Sequence, residues 1–195
     1  MTYEEYYGEA FFRLKYMEQT LLDLLHDYPT YSYPNDMEPI LYCKSRIKQS
    51  DRMIRKLEQR GLPTDRKAAL SHLHDPVGVR IVCSFLDDIY KIANWLKTHP
   101  EFEIVETKDY IAFPKPNGYR SLHLVLSFLS SSNQKLMAEI QLRTIAIDFW
   151  AALEHQMKYK KNIEHEKTIR SELKRCADEI ASVDVSIQIL RELFS

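Results

Sequence analysis

Residues 115–126 read Lys115-Pro116-Asn117-Gly118-Tyr119-Arg120-Ser121-Leu122-His123-Leu124-Val125-Leu126. Pro116, Asn117 and Gly118 are turn formers, each for its own backbone reason. Around them, Lys115 to His123 gather two cations, an aromatic ring, a hydroxyl and an imidazole. The residues after the turn, Leu122 to Leu129, are strand-like, and Glu103 to Phe113 read as the strand before it. A loop held between two strands is where a scaffold usually displays ligand-binding groups. The chain is therefore read as a sheet protein organised around this loop.

Working outward, Lys135 to Arg143 alternates. Leu136, Ala138, Ile140 and Leu142 fall on one side, and Met137, Glu139, Gln141 and Arg143 on the other. Gly78 to Phe85 is a β-branched, central-type strand carrying Arg80, which is costly there unless it faces a site or a partner. Asp75 stands at its mouth. Ile40 to Lys48 has two readings. As a strand it puts Lys44, Arg46 and Lys48 on one face. As a helix it would align Lys44, Lys48, Arg52, Lys56 and Arg60. Ser50 before Asp51 resembles an N-cap, favouring a strand to Lys48 and a helix from Asp51 to Arg60, with Ile54 and Leu57 buried. The segment 44–60 holds seven basic residues (Lys44, Arg46, Lys48, Arg52, Arg55, Lys56 and Arg60) against Asp51 and Glu58. A solvated charged face is the plain alternative.

The helical pattern brackets these strands. Tyr7, Phe11, Leu14, Met17, Leu21, Leu24 and Tyr28 lie on one face of a single helix over residues 3–28. A loop follows at Pro29, Pro34, Asn35, Asp36 and Pro39. Short helices are expected over 64–73, starting at Thr64, and over 87–97. Residues 130–134 read as a polar turn and Thr144 to Tyr159 as an amphipathic helix. Ile169, Leu173, Cys176, Ile180, Val183, Ile187, Leu190 and Phe194 form a heptad seam, read as an oligomer contact or as a helix laid on its own core.

Composition narrows the class. The 195 residues suit one domain with helical extensions, and 45% hydrophobic content suffices for a core. A net charge of -1 excludes a polycation that coats nucleic acid. Cys43, Cys83 and Cys176 show no paired spacing and read as free thiols. No secretory leader or long apolar span is seen, so a cytoplasmic protein is expected. There are four glycines, with neither a Gly-Lys-Ser/Thr phosphate loop nor a dinucleotide fingerprint.

Asp75 and Glu139, with water and substrate phosphates, suit a magnesium ion. Arg80 and the basic cluster suit a triphosphate, and Tyr119, flanked by Lys115 and His123, suits a second base. Two anionic nucleotides and one metal suggest phosphoryl-type transfer. The pairs His74-Asp75 and His26-Asp27 echo metal phosphohydrolases. That chemistry needs further ligands on a helical bundle, for which the chain has no room.

Several strings resemble the synthetase domain of RelA/SpoT-type alarmone enzymes. They are Asp75-Pro-Val-Gly-Val-Arg-Ile-Val82, the loop from Asp109 to His123, Glu139-Ile-Gln-Leu-Arg-Thr144, Phe149-Trp150-Ala151 and Glu154-His155. Lys44 to Lys48 resembles the strand that opens that domain. The likeness runs over residues 38–160, and the length without hydrolase or regulatory domains resembles a small alarmone synthetase. It implies an α/β (α+β) fold, a nucleotidyltransferase-like mixed sheet of about five strands flanked by helices. By this likeness residues 1–37 are an N-terminal helix and loop, 38–160 the synthetase domain, and 161–195 a C-terminal helix in an oligomer contact, in a homotetramer. The implied reaction moves pyrophosphate from ATP to the 3′-hydroxyl of GDP or GTP. In it Asp75 would bind Mg²⁺, and Glu139 would help bind it or activate the hydroxyl. Arg46 and Arg80 would sandwich adenine, and Lys48 and Lys56 would hold ATP phosphates. Tyr119 would stack on guanine, and Lys115, Asn117, His123 and Gln141 would hold the rest of that nucleotide. Two departures stand out. Gln49-Ser50-Asp51-Arg52 replaces the usual Ser/Thr-Pro-Glu-Ser, and Asp148 stands where many members have Asn, still able to accept from guanine. The competing expectation is an RNA-binding or regulatory module on a degenerate scaffold. Single-stranded RNA as a regulator alongside catalysis is a further expectation.

Overall fold

The computed structural model describes residues 1–30, 33, 37–128, 135–158 and 165–194. Five strands form one sheet: β1 (Ile40–Ile47), β2 (Val77–Cys83), β3 (Phe102–Asp109), β4 (Leu122–Phe128) and β5 (Leu136–Thr144), in the order β1-β2-β5-β4-β3. Strands β2 and β5 pair in parallel; the other three pairings are antiparallel. The helices are α1 (Tyr3–Tyr7), α2 (Ala10–His26), α3 (Ser50–Glu58), α4 (Arg66–His72), α5 (Leu86–Leu96), α6 (Ile145–Lys158) and α7 (Glu166–Phe194).

Alternation divides the sheet into two unlike faces. Val79 and Ile81 of β2 and Ala138, Ile140 and Leu142 of β5 are at most 1% exposed. They join Leu14, Met17 and Leu21 of α2, Met53 and Leu57 of α3, and Ile89 and Ile92 of α5 in one hydrophobic cluster. Burying each such side chain contributes about 1.5–3 kcal/mol. The opposite face is polar, and register sets its rows. Lys44 pairs with Arg80, Arg80 with Gln141, Gln141 with His123, and His123 with Lys108. One row over, Arg46 pairs with Gly78 and Gly78 with Glu139.

Several boundaries differ from expectation. The single helix over 3–28 is two, because Gly8 takes φ +55°. Arg66 fills the space beside Gly8 that a side chain there would need, and its guanidinium donates to the Tyr7 carbonyl at 3.1 Å. Ser50 does not cap α3; Gln49 holds that position and Ser50 is the first helical residue. Helix α4 starts after Asp65, whose carboxylate accepts from the Ala68 amide, rather than at Thr64. Strand β3 ends at Asp109, not Phe113. There Asp109 Oδ1 accepts from the amides of Ile111 and Ala112, both at 2.9 Å, and curls the chain into a turn. The loop residues Pro34, Asn35 and Asp36, the turn at 130–134, Tyr159 and the Phe194 side chain lie outside what is described.

The two halves of helix α7 present the heptad seam differently. Leu173, Cys176 and Ile180 pack with Tyr119 against Trp150, Ala151 and Ala177. Further on, Val183, Ile187 and Leu190 are exposed, and the buried residues one heptad apart are Ala177, Asp184 and Arg191. The inward side is thus polar. Asp184 accepts from Thr144 Oγ1 at 2.7 Å, and Arg191 pairs with Asp87 and Asp88 at 2.5 and 2.7 Å.

Candidate active site

The polar sheet face opens into a cavity of about 260 Å³ lined by Lys44, Ser45, Arg46, Lys48, Asp75, Gly78, Val79, Arg80, Glu139 and Gln141. Sequence positions 44 to 141 converge there because β1, β2 and β5 are neighbours in the sheet. A larger cavity of about 400 Å³ lies between α2 and β1, but its lining holds no lysine or arginine and is not built for polyphosphate.

Asp75, just before β2, accepts from Lys56 Nζ at 2.8 Å through Oδ1 and from Lys48 Nζ through Oδ2. Burial works against its charge, yet the two lysines outweigh it and hold the carboxyl below the usual aspartate value. Burial draws the Lys48 ammonium down, opposed by Asp75. The basic segment divides here. Lys44, Arg46, Lys48 and Lys56 turn to the site, whereas Arg55 pairs with Asp51 and Arg60 donates to the His72 carbonyl.

Glu139 is held differently. Its Oε1 lies 3.1 Å from His123 Nδ1, and its Oε2 accepts from Gln141 Nε2 at 3.0 Å. Burial favours the neutral acid, but His123 and Gln141 prevail and lower its pKa below the ordinary glutamate value. Behind it, His123 Nε2 is 2.9 Å from the Tyr119 hydroxyl, which accepts from Arg143 Nη2 at 2.8 Å. The Glu139 carboxylate only accepts, so Nδ1–H points at it, and on a neutral ring Nε2 is then left to accept the Tyr119 proton. A directed hydrogen-bond chain runs from Arg143 through Tyr119 and His123 to the carboxylate.

The loop supplies the other groups. Lys115 Nζ sits 4.4 Å from the Tyr110 ring centre and 5.1 Å from that of Tyr119. Asn117 accepts from the Tyr119 amide at 3.2 Å and donates to Glu154 at 3.2 Å, so it shapes the turn and ties it to α6. Gly118 takes φ +88°, and a Cβ there would come within 2.6 Å of Ala177 Cβ. The close approach at this glycine is to helix α7 of the same chain. Arg120 completes the anchor, donating to the carbonyls of Gly118 and Ala177 and to Asp178.

Asp148, in the first turn of α6, is 7% exposed. Its Oδ1 accepts from Arg143 Nη1 at 2.8 Å and pairs with Arg80 Nη1 at 3.2 Å; its Oδ2 accepts from the Tyr42 hydroxyl at 3.1 Å. Arg143 and Tyr42 therefore belong to the site although sequence reasoning assigned them no role. Their signal was available in the two-residue period, which puts Tyr42 on the face of Lys44 and Arg143 on that of Glu139. Among the described residues no three His, Cys, Asp or Glu side chains close around a metal. Among them also, no helix is long and apolar enough to cross a membrane.

The comparisons with known proteins agree with this architecture. The model for the "Region found in RelA / SpoT proteins" matches residues 45–164. The chain is 46% identical over 151 residues to GTP pyrophosphokinase YwaC of Bacillus subtilis, covering 76% of this chain and 72% of that protein. It is 31% identical over 164 residues to GTP pyrophosphokinase YjbM of the same organism, covering 83% and 76%. Among solved structures, small alarmone synthetase 2 from Bacillus subtilis superposes with a TM-score of 0.76 at 38% identity over 93% of both chains. Small alarmone synthetase 1 from that organism, bound to its product pppGpp, superposes with a TM-score of 0.81 at 29% identity, over 94% of this chain and 95% of the other.

Proposed function

The chain belongs to the RelA/SpoT family, among the small alarmone synthetases, and from that premise we propose that it is a GTP pyrophosphokinase that transfers the β,γ-pyrophosphate of ATP to the 3′-hydroxyl of GDP or GTP. The products are AMP and (p)ppGpp, and the reaction is synthesis alone, without hydrolysis. One observation carries this reading: two ionised carboxylates of unlike surroundings face one cation-lined cavity.

Arg46 and Arg80 take the adenine, and Lys44, Lys48 and Lys56 take the phosphates. Tyr119 is the guanine platform, with Lys115, His123 and Gln141 around the rest of the acceptor. Glu139 takes the proton of the 3′-hydroxyl as it attacks the β-phosphorus, and the bond to the α-phosphate oxygen breaks to release AMP. His123 holds Glu139 in place by its Nδ1–H, and Gln141 fixes the second oxygen. The donor set suits Mg²⁺: two carboxylates in one cavity and no closed protein cage, the pattern of an ion that takes other ligands from phosphates and water. When bound, it neutralises charge developing on the transferred group. Asp75 is the residue that would hold it, with Glu139 facing the same cavity as the proton acceptor.

An assay of the purified protein with ATP, GDP and magnesium tests the reading. AMP and a guanosine tetraphosphate are expected in equal amounts, and AMP without guanosine polyphosphate overturns it. Guanosine tetraphosphate supplied alone should persist; release of GDP sinks the synthesis-only part. The degenerate-scaffold reading is not favoured, since both carboxylates and the cation cluster are intact. The exposed Val183, Ile187, Ile189, Leu190 and Leu193 of α7 support self-association, and the resemblance to small alarmone synthetases makes a homotetramer the expected form. Light scattering after size exclusion should give about four times the 23.1 kDa chain mass, and a monomer counts against it.

A further inference from the structure

Asp148 replaces the asparagine that the resemblance leads one to expect, and it had been read as a contact to guanine. Its geometry fits another task. A carboxylate offers about four acceptor positions. Two of these are taken by hydrogen bonds, from Arg143 on Oδ1 and from Tyr42 on Oδ2, and Arg80 Nη1 forms an ion pair with the same Oδ1 at 3.2 Å. Reading the N1–H and 2-amino group of guanine needs both oxygens along one edge. Here Oδ1 is filled and the side chain is 9% exposed.

We infer that Asp148 is a positioning residue that sets Arg80 and Arg143 in register and so couples the ATP side of the site to the guanosine platform. The inference rests on the nucleotide assignments proposed above. The three groups it binds come from three strands: Tyr42 from β1, Arg80 from β2 and Arg143 from β5. Arg143 passes the restraint on, because its Nη2 donates to the Tyr119 hydroxyl. Arg80 lies in the cavity wall, and its Nη1 is held in an ion pair with Asp148 Oδ1 at 3.2 Å. The carboxylate also keeps two like charges on one oxygen. Without its charge the guanidiniums repel each other, and the more exposed Arg80 swings away.

Asp148→Asn keeps the shape and removes the charge. Calorimetric titration with a non-hydrolysable ATP analogue, without acceptor, should show about tenfold weaker binding, the size expected for loss of a charge-assisted contact. In steady state the KM for ATP should rise while the preference for GDP over IDP, which lacks the 2-amino group, stays at its original ratio. Tyr42→Phe removes only the Oδ2 partner from a partly exposed residue that folding tolerates. It should shift ATP affinity the same way by about threefold. An Asp148→Asn protein that keeps its ATP affinity overturns the inference. A collapsed GDP:IDP preference with unchanged ATP affinity would instead make Asp148 a reader of guanine. If the unsubstituted protein does not bind the ATP analogue, the nucleotide assignments themselves fail, which separates that failure from the failure of the Asp148 proposal.

Discussion

Asp75 and Glu139 face the same cavity, yet one is kept ionised by charge and the other by hydrogen bonds. Two ammonium groups, Lys48 and Lys56, close on Asp75, so the cluster is electrically satisfied and carries a net positive charge. Around Glu139 the immediate partners are an imidazole and an amide, and the Arg143 guanidinium stands behind them, one hydrogen bond beyond Gln141 and two beyond His123. The difference teaches what each can do. On the proposed reading Asp75 is poised for exchange: phosphates would draw the lysines away and a cation would take their place. Glu139 has no lysine or arginine on its oxygens, an arrangement that suits a proton acceptor. Depth of burial does not distinguish them; the kind of partner does.

The severest way to break this contrast is Glu139→Gln. It preserves shape and the contact with Gln141 but cannot accept a proton, so kcat should fall about a thousandfold. Nucleotide affinity and melting temperature should change little. A variant that retains its rate removes Glu139 from the role of base. Asp75→Asn should cost about a hundredfold, equivalent to ~2.7 kcal/mol of barrier. Unlike the Glu139 loss, part of that should return as magnesium is raised, because the lesion lies in cation retention. Rates that respond identically to magnesium in the two variants would erase the distinction drawn between the carboxylates.

The β5 alternation was enough to put Glu139, Gln141 and Arg143 on one face, and the strand carrying Arg80 was legible from its β-branched run. The mixed five-strand sheet followed from those segments together with the resemblance. What could not be read was contact across the fold. Arg143 meets Tyr119, 24 residues away, and Tyr42 meets Asp148 at a separation of 106, and no local period encodes either. Glycines misled for a related reason. Gly8 sits inside a helical apolar pattern, yet the helix breaks there at φ +55°, with Arg66 of another helix packed beside it. Gly118 resembles a ligand-side glycine, yet its crowding comes from Ala177 on α7. Likewise the heptad seam records that α7 is amphipathic without telling which half faces inward. That is decided by Asp184 and Arg191, the polar residues that dock it.

A milder perturbation sharpens the hydrogen-bonded side alone. His123→Ala removes the donor that holds Glu139 ionised, so kcat at neutral pH should fall about tenfold. The sign of the pH effect follows from the lowered Glu139 pKa. Native Glu139 loses its charge, and the stability that charge confers, only as pH falls through that depressed value. Without His123 the pKa rises, so the acid limb of kcat/KM should move to higher pH. Asp75→Asn should move this limb the other way, to lower pH, because the neighbouring Asp75 charge raises the Glu139 pKa. An unmoved limb in His123→Ala removes the imidazole from the control of Glu139.

The smallest effect isolates the far end of the chain of donors. Tyr119→Phe retains the ring on which guanine is proposed to stack but deletes the hydroxyl between Arg143 and His123. The Nε2 atom then loses its donor and the imidazole is free to take either tautomer. With Nδ1 bare of its proton, the bond to Glu139 is lost for part of the population. The expected result is about a threefold drop in kcat with the KM for GDP nearly unchanged. Tyr119→Ala should add a large rise in that KM, because the platform itself is gone. The two substitutions thus split one residue into two duties, a ring that holds the acceptor and a hydroxyl that orients the base. If Tyr119→Phe raises the KM for GDP and leaves kcat intact, the hydroxyl touches the nucleotide directly. The hydrogen-bonded control of Glu139 then ends at His123.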